Sequence, residues 1–290
     1  LLFIINPMAG RQQAQTDLYK MVKIFADHDY EVTVYPTRAR LDCTQKVLKD
    51  AGRFDLVVCC GGDGTLNEMV SGMMQRQDRR PMGYIPLGST NDLAVSLRLP
   101  TRVEEAALRA VTGNEFHMDV GTLNDRYFNY IAAFGAFTAT SYATPQEIKN
   151  ALGHLAYILE GVKSLGKILP IHVKITADDE QFEEDYLFGA VTNTISLGGV
   201  LKLDPEKVLL DDGMYELLLV KNPTNALEAQ AMLTAIMTQN FDGPLVKMFH
   251  ASDITFESSH EISWTIDGEY GGTFSHTHIL NNKNAVTLIV

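Results

Sequence analysis

The sequence predicts an α/β domain with a doubly wound parallel sheet, followed by a second domain rich in β-strands. The length of 290 residues is about twice that of an ordinary domain, which favours two units. Apolar runs alternate with helical stretches in the first part, as in a parallel sheet, whereas short strands dominate the second part. Charge divides in the same way, with net charges of −1 for residues 1–120 and −11 for residues 121–290. We therefore place the boundary at residue 120.

The first domain repeats a strand–helix unit. Residues 1–5 form a continuous apolar run, which is typical of a strand buried on both faces. Asn6-Pro7 ends this strand, and a helix with one apolar face from Leu18 to Phe25 follows. The later units predict strands at 31–35, 55–60 and 82–86, with helices at 42–51, up to residue 74, and after the last strand.

The second domain shows the period-two alternation of half-buried strands, most clearly at residues 171–176. Residues 178–185 contain six acidic side chains before a strand-like run to Thr194, which predicts a hairpin with an acidic loop. We expect the final strand to pair back onto the first domain. Further strands are predicted at 214–220, 253–257, 261–266, 276–280 and 285–290, and helices at 145–167 and 225–238.

Composition and charge exclude several classes of protein. Hydrophobic residues make up 46% of the chain, enough for a sizeable core. A net charge of −12 counts against a nucleic-acid partner, because such a protein needs a basic face. The three cysteines are too few for a disulfide framework, which favours a reducing compartment. The sequence shows neither a signal-peptide pattern nor an unbroken apolar span of bilayer length, so we expect a cytoplasmic protein.

The strongest chemical signal is the string Gly-Gly-Asp-Gly-Thr-Leu-Asn-Glu at residues 61–68, which follows a strand and opens a helix. Glycines let a phosphate approach the backbone, and the first N–H groups of the helix form an anion cradle. Asp63 would repel a phosphate unless a divalent cation lies between them. The structural alternative is a glycine-rich turn with Asp63 as a cap, and Thr65 is also well placed to cap the helix.

A second loop repeats this pattern. Residues 86–94, Pro-Leu-Gly-Ser-Thr-Asn-Asp-Leu-Ala, place a glycine, hydroxyl groups and an acid at the start of a helix. Loops that follow parallel strands lie at the same edge of the sheet, so this loop and residues 61–68 share one crevice. Two acids there, Asp63 and Asp92, suit a magnesium–nucleotide complex.

These loops, together with Asn6-Pro7-x-x-Gly10 and the late string Trp-Thr-Ile-Asp-Gly-Glu at residues 264–269, resemble the catalytic domain of the diacylglycerol kinase family. These are bacterial lipid kinases related to sphingosine and ceramide kinases, and the resemblance covers essentially the whole chain. It implies ATP bound between a phosphofructokinase-like α/β domain and a β-sandwich domain. It also implies phosphorylation of a lipid hydroxyl, most directly that of diacylglycerol to give phosphatidic acid, with sphingoid bases, phosphatidylglycerol and polyprenols left open.

The resemblance assigns roles to particular residues. Glu269 matches the proton acceptor, with Asp267 as its rival. Asp63, Asp92 and Asp119 match an aspartate and magnesium network. The implied ATP contacts are Asn6, Pro7, Met8, Ala9, Gly10, Thr37, Gly61, Gly62, Asp63, Gly64, Thr65, Leu66, Asn67 and Ser89.

The chain departs from the family pattern at a few positions without losing an acid. Ala9 stands where the family usually has Ser, Ser89 where Thr is usual, and Leu93 where Phe is common. Residues 38–42 lack the usual Gly-Asp-Ala that follows Thr37.

The chemistry of the late string agrees with its implied role. An alcohol is a poor nucleophile toward phosphorus at neutral pH, and a positioned carboxylate accepts its proton as the bond forms. Asp267 and Glu269 lie two residues apart in an extended segment, and Gly268 leaves room between them. Solvated acids at a strand end are the alternative, and of the two acids we favour Glu269 as the base.

A third loop, at residues 209–214, matches a structural magnesium site of the family. Its implied ligands are the side chain of Asp212 and the backbone carbonyls of Leu209 and Met214, a mixed oxygen set that hard cations accept. The alternative is an Asp-Gly turn before a strand.

A lipid acceptor requires transient contact with the inner face of a membrane, although the acidic second domain would be repelled by anionic lipid. We expect local arginines to make that contact, and the candidates are Arg76, Arg79 and Arg80, or Arg98 and Arg102. The uncharged stretches 128–137 and 187–201 are candidates for lining a lipid groove, with sandwich core as the favoured alternative. The sequence does not decide the oligomeric state, and a homodimer stays open.

Two alternative functions are also considered for this sequence. A kinase for a soluble acceptor, such as an NAD kinase, carries a similar glycine string, but the second domain lacks its Thr-Pro-Thr-Gly-Ser-type string. A catalytically silent lipid- or nucleotide-binding protein on the same fold is disfavoured by the intact acids.

Overall fold

The computed structural model describes residues 1–136, 169–197, 201–203 and 208–290, and the predicted combination of an α/β part and a strand-rich part is confirmed. The helices are α1 (Gln13–Thr16), α2 (Leu18–Asp27), α3 (Asp42–Asp50), α4 (Asp63–Met74), α5 (Asp92–Ser96), α6 (Val103–Thr112) and α7 (Ala226–Thr238). The strands are β1 (Leu2–Ile5), β2 (Thr33–Pro36), β3 (Val57–Gly61), β4 (Met82–Pro86), β5 (Glu115–Leu123), β6 (Arg126–Phe128), β7 (Ile131–Gly135), β8 (Ile171–Ala177), β9 (Glu180–Thr192), β10 (Ser196–Leu197), β11 (Leu201–Lys202), β12 (Tyr215–Lys221), β13 (Val246–Ala251), β14 (Asp253–Ile266) and β15 (Glu269–Ile289). Within these residues, no helix combines the length and apolar character needed to cross a bilayer.

The first domain is a parallel sheet in the order β4, β3, β1 and β2, with helices on both faces. Leu2 and Ile4 of β1 pack in the apolar cluster formed with α3 and α4, while Phe3 and Ile5 pack in the cluster formed with α2 and α6. Burial on both faces explains the continuous apolar run of β1. The carboxyl ends of β1, β3 and β4 meet at one edge of the sheet, and the loops that follow them meet there too.

The second domain is antiparallel, with β13, β12, β9, β7, β14 and β15 side by side and β8 joined to both β9 and β14. Several aromatic side chains pack against one another in its core. The ring of Trp264 lies 5.0 Å from that of Phe134 and 4.9 Å from that of Phe256, centroid to centroid. A second apolar cluster, which includes Leu218 and Met232, packs α7 against the opposite face of β12.

Strand β15 joins the two domains. Its first half pairs with β14, its second half pairs with β5, and Leu288 pairs in parallel with Met82 of β4. The final strand therefore continues the first sheet. The expected boundary at residue 120 falls inside β5, which runs antiparallel to β15.

Several predicted elements are longer in the structure than in the sequence pattern. The segments 253–257 and 261–266 form one strand, β14, with an irregular register between Glu257 and Ile262 that interrupts the alternation. The predicted segments 276–280 and 285–290 likewise fall on one strand, β15, which ends at Ile289. The acidic loop of the β8–β9 hairpin was predicted too long, because only Asp178 and Asp179 turn and the other acids lie on β9. The helix predicted at 145–167 lies outside the described residues.

Candidate active site

The glycine string forms the turn between β3 and α4. A Cβ on Gly61 would lie 2.4 Å from Oγ1 of Thr65, and a Cβ on Gly88 would lie 2.7 Å from the Cα of Gly62. The two glycine loops therefore touch backbone to backbone and leave no space for side chains. Because the first N–H groups of a helix have no partner within it, the start of α4 offers donors along this crevice.

Two residues of the string have other roles than the sequence suggests. Thr65 does not cap α4, since Gly62 is the N-cap and Thr65 is buried, with its hydroxyl accepting from Nδ2 of Asn6 at 3.4 Å. The side chain of Leu66 belongs to the core of the first domain. Contact between Leu66 and a nucleotide is thus restricted to its backbone.

The loop after β1 lies at the same edge. The N–H of Asn6 donates to the carbonyl of Cys60, and the N–H of Thr37 donates to the carbonyl of Ile5. Asn6 is therefore a neighbour of the glycine string, whereas Thr37 lies next to the end of β1. Within residues 6–10, Ala9 is buried, Met8 is exposed, and the other three are half-buried. Ser89 is exposed on the loop after β4.

Three carboxylates gather beneath this crevice. Asp63 accepts a hydrogen bond from the N–H of Asn91 through Oδ2 at 2.9 Å, and in the described part of the chain its buried Oδ1 has no hydrogen-bond partner. Burial, followed by the nearby charges of Asp92 and Asp267, raises the pKa of Asp63 to about 7. Asp92, the first residue of α5, is itself buried. Burial of several acids close together disfavours the charged form of each of them.

Asp267 holds several backbone segments together. Its carboxylate accepts from Nδ2 of Asn67 at 2.7 Å and from the N–H groups of Asn129 at 2.7 Å, Tyr130 at 3.1 Å and Ile131 at 3.2 Å. Burial raises the pKa of Asp267 to about 6, although these hydrogen bonds oppose the rise. With four donors on two oxygens, Asp267 anchors the segment before β7 to α4.

Glu269 has a different environment. Its side chain is 52% exposed, and Oε1 lies 3.3 Å from the position that a Cβ on Gly64 would take. Its Oε2 accepts a hydrogen bond from Nη2 of Arg40 at 2.6 Å. The carboxylate of Glu269 thus lies over the first turn of α4, although it comes from the first residue of β15. The contact of Arg40 with Glu269 was not predicted from the sequence. The one feature that pointed to this segment was the departure of residues 38–42 from the family pattern.

Glu68, the last residue of the glycine string, has a structural role. Its carboxylate accepts from the N–H of Leu41 at 2.7 Å and from that of Cys43 at 3.2 Å, so it caps α3 from a neighbouring helix. Leu41 has a φ of 65°, in the left-handed region that favours glycine.

Asp119 makes its hydrogen bonds to the third loop and to β15. It is fully buried, and it accepts from the N–H groups of Gly213 and Asn284, each at 2.7 Å, and from Nδ2 of Asn281 at 3.3 Å. Burial raises its pKa. These partners place Asp119 beside the third loop, at residues 209–214, where it braces the backbone.

The third loop has oxygens of the chemistry that a hard cation needs. Oδ1 of Asp212 accepts from the N–H of Met214 at 2.8 Å, and the carbonyl of Met214 accepts from Asn281 at 3.2 Å. In the described residues, Oδ1 of Asn281 is buried without a hydrogen-bond partner, which leaves one further oxygen available. Leu209 is half exposed at the edge of the loop. No group of three or more His, Cys, Asp or Glu side chains in the described ranges is arranged as a ready-made metal site.

Three arginines proposed to contact a membrane also donate hydrogen bonds to backbone carbonyls of the protein. Arg76 donates to the carbonyls of Val47 and Leu48, Arg79 donates to that of Ala285, and Arg80 donates to that of Gly52. The apolar stretches 128–137 and 187–201, where described, also contribute to the cores, with Phe134 and Val191 among their buried residues.

A glycine-lined crevice on a parallel sheet, with carboxylates reaching it from a strand-rich second domain, is the arrangement of a phosphotransferase. Comparison with known proteins agrees. Residues 1–123 match the model of the diacylglycerol kinase catalytic domain, and residues 133–289 match that of the YegS C-terminal NAD kinase beta sandwich-like domain. The chain belongs to the diacylglycerol kinase family and is an enzyme of the lipid-kinase type.

Relatives and solved structures match over nearly the whole length. The diacylglycerol kinase of Bacillus subtilis is 32% identical, over 97% of this chain and 95% of the relative. The diacylglycerol kinase of Staphylococcus saprophyticus is also 32% identical, over 93% of this chain and 88% of the relative. A crystal structure of a candidate diacylglycerol kinase from Bacillus anthracis superimposes with a TM-score of 0.83 at 25% identity, covering 99% of this chain and 96% of that one.

Proposed function

We propose that this enzyme transfers the γ-phosphate of ATP to the hydroxyl of diacylglycerol and so forms phosphatidic acid. The observation that supports this most is the position of Glu269. A partly exposed carboxylate lies over the first turn of α4, next to Gly64, where the backbone can cradle a phosphate. A hydroxyl that attacks a phosphoryl group held there would have a proton acceptor beside it.

The nucleotide contacts are proposed on the four loops that follow β1, β2, β3 and β4. Backbone N–H groups at Gly62 to Gly64 would bind phosphate oxygens, and Asn6, Thr37 and Ser89 lie on the neighbouring loops. Asp63 fits a magnesium ion that arrives with the nucleotide, because one of its oxygens is buried without a partner in the described residues. Bound there, the ion would offset the charge between the phosphates and this carboxylate.

Glu269 is the better proposal for the base. Both oxygens of Asp267 accept hydrogen bonds from backbone or amide groups, so a proton would have to displace one of them. Glu269 shares one oxygen with Arg40 and has the other directed toward Gly64. Asp267 is proposed as the residue that positions this segment.

The remaining proposals concern stability and location. A second magnesium ion at Asp212, with the carbonyls of Leu209 and Met214, would brace the third loop. We also propose that the enzyme works in the cytoplasm and meets its lipid at the inner face of the membrane. The candidates for that contact are Arg76, Arg79 and Arg80, which also donate to backbone carbonyls, or Arg98 and Arg102, of which Arg102 is paired with Glu105.

The test is a transfer assay with γ-labelled ATP and magnesium. Mixed micelles would carry diacylglycerol, a sphingoid base, phosphatidylglycerol or a polyprenol, and NAD would serve as a soluble acceptor. We expect label in diacylglycerol, and a loss of about 10²-fold or more with Glu269→Gln. Glu261→Gln, on an exposed glutamate of β14, is the matched control and should keep full activity. Label in another acceptor would replace the proposed substrate, and ATP binding without any transfer would indicate a silent binding protein.

A further inference from the structure

An exposed ion pair lies beside the first turn of α4, at the edge of the crevice. Arg40, in the turn between β2 and α3, donates to Glu269 at the start of β15, with 2.6 Å between Nη2 and Oε2. The side chain of Arg40 is 67% exposed and that of Glu269 is 52% exposed. Exposed pairs of this kind contribute little to stability, because water screens both charges. The contact is therefore easily exchanged for another.

The backbone beneath Arg40 is fixed to the helix that begins at the phosphate cradle. The N–H groups of Leu41 and Cys43 both donate to the carboxylate of Glu68 on α4. The N–H of Arg38 donates to Asp42 at 2.9 Å, which closes the same turn. The backbone at Arg40 is therefore held at a fixed position relative to α4. Only the side chain of Arg40 has to move for its guanidinium to contact a group bound above α4.

A phosphate group would be a second partner for the guanidinium of Arg40, because both the crevice and the nucleotide are negatively charged. Asp63, Asp92 and Asp267 lie beneath the crevice, and Glu269 lies at its edge. Nucleotide phosphates would add further negative charge there. A guanidinium binds a carboxylate and a phosphate with the same planar fork of donors. A phosphoryl group above Gly64 would lie next to Glu269, and so within the region that Arg40 already reaches.

We propose that Arg40 exchanges Glu269 for the phosphoryl group and binds that group during its transfer, an inference that rests on the proposed function. The acceptor oxygen forms a bond to the γ-phosphorus, and its proton passes to Glu269. The bond from that phosphorus to the bridging oxygen breaks, and ADP leaves with the electron pair. Arg40 offsets the charge on the peripheral phosphoryl oxygens, and its departure leaves both oxygens of Glu269 for the acceptor hydroxyl.

Kinetics of two variants give the first test. Arg40→Ala should lower kcat about 100-fold, with the KM for ATP changed less than about threefold, because the contact is made only during transfer. Arg40→Lys should recover part of the loss, since an ammonium has the charge without the fork. Arg38→Ala removes a guanidinium from the same turn and should stay within about threefold of the wild type. An equal loss in Arg38→Ala would assign the effect to the turn and overturn the proposal.

A binding measurement without lipid gives the second test. ADP with aluminium fluoride and magnesium mimics the transferring phosphoryl group, and its dissociation constant is measured beside that of ADP alone. Arg40→Ala should weaken the mimic about 100-fold and leave ADP unchanged. Equal affinity of wild type and Arg40→Ala for the mimic would overturn the proposal. If the variant weakens the mimic while wild type phosphorylates no lipid, the lipid acceptor is wrong and the role of Arg40 stands.

Discussion

We expect a buried carboxylate in the second domain to make the stability of this enzyme dependent on pH. Glu216, near the start of β12, is 1% exposed, and in the described residues its Oε2 has no hydrogen-bond partner. Its Oε1 lies 3.8 Å from Nε2 of His250, which is half exposed. Burial, with a smaller contribution from Asp212, raises the pKa of Glu216 from 4.5 to about 8.

The magnitude follows from proton linkage. Between pH 4.5 and 8 the folded protein keeps a proton on Glu216 that the unfolded chain has released, so stability falls as the pH rises through this window. At about 1.4 kcal/mol for each pH unit, the interval from 4.5 to pH 7 corresponds to roughly 3 kcal/mol. Glu216→Gln keeps the shape and removes the titration. The variant should therefore equal the wild type near pH 4.5 and exceed it by up to about 3 kcal/mol at pH 7.

Urea unfolding measures this difference. Trp264 is the single tryptophan and is fully buried, so its fluorescence reports the second domain directly. Curves at several values between pH 4.5 and 8 would give the free energy of unfolding of the wild type, Glu216→Gln and the exposed control Glu261→Gln. The control should stay within about 0.5 kcal/mol of the wild type throughout. A gain that is independent of pH, or a loss of stability at pH 7, would refute the reasoning.

Three further outcomes are expected. Asp267→Asn replaces one of two oxygens, each of which accepts from two donors, with an NH2 group, and it should lower the free energy of unfolding in urea by about 3 kcal/mol. Glu269→Gln should leave that free energy unchanged, and equal losses would show that both acids are structural. Gly64→Ala should stabilise α4 by up to about 1 kcal/mol in urea unfolding followed by circular dichroism, yet lower kcat about tenfold because the methyl would lie 3.3 Å from Oε1 of Glu269. An unchanged kcat would contradict the location of the base. Magnesium should raise the melting temperature of the wild type and not that of Asp212→Asn, and equal shifts in both would place the ion elsewhere.

The fold was largely predictable because its signals are local. A five-residue apolar run, glycine loops after strands and period-two alternation each depend on neighbours in sequence. Residues 258–260 were interpreted as a break between two strands, but β14 continues through them. The register with β15 is irregular there, so the apolar–polar alternation is lost. Only the partner strand, β15, shows that the ladder resumes on the other side.

The site was predictable to the level of its loops and less so to the level of roles. Asp267 and Glu269 look alike in sequence, and their difference depends on the turn before β7, which supplies donors only to Asp267. Arg40 is 229 positions away from Glu269, a separation that no local pattern encodes. The hydrogen bonds of Asp119 could not be predicted, because its partners come from two loops more than 90 residues away.

The way in which β15 joins both sheets has a consequence for biosynthesis. The edge of β4 that faces away from β3 is covered by β15, through the pair between Met82 and Leu288. A ribosome makes Met82 long before Leu288, so a nascent first domain exposes an unpaired parallel edge throughout synthesis of the second. Such an edge invites pairing with other chains. We therefore expect the first domain to pair with other chains more readily before the last strand is made than after it.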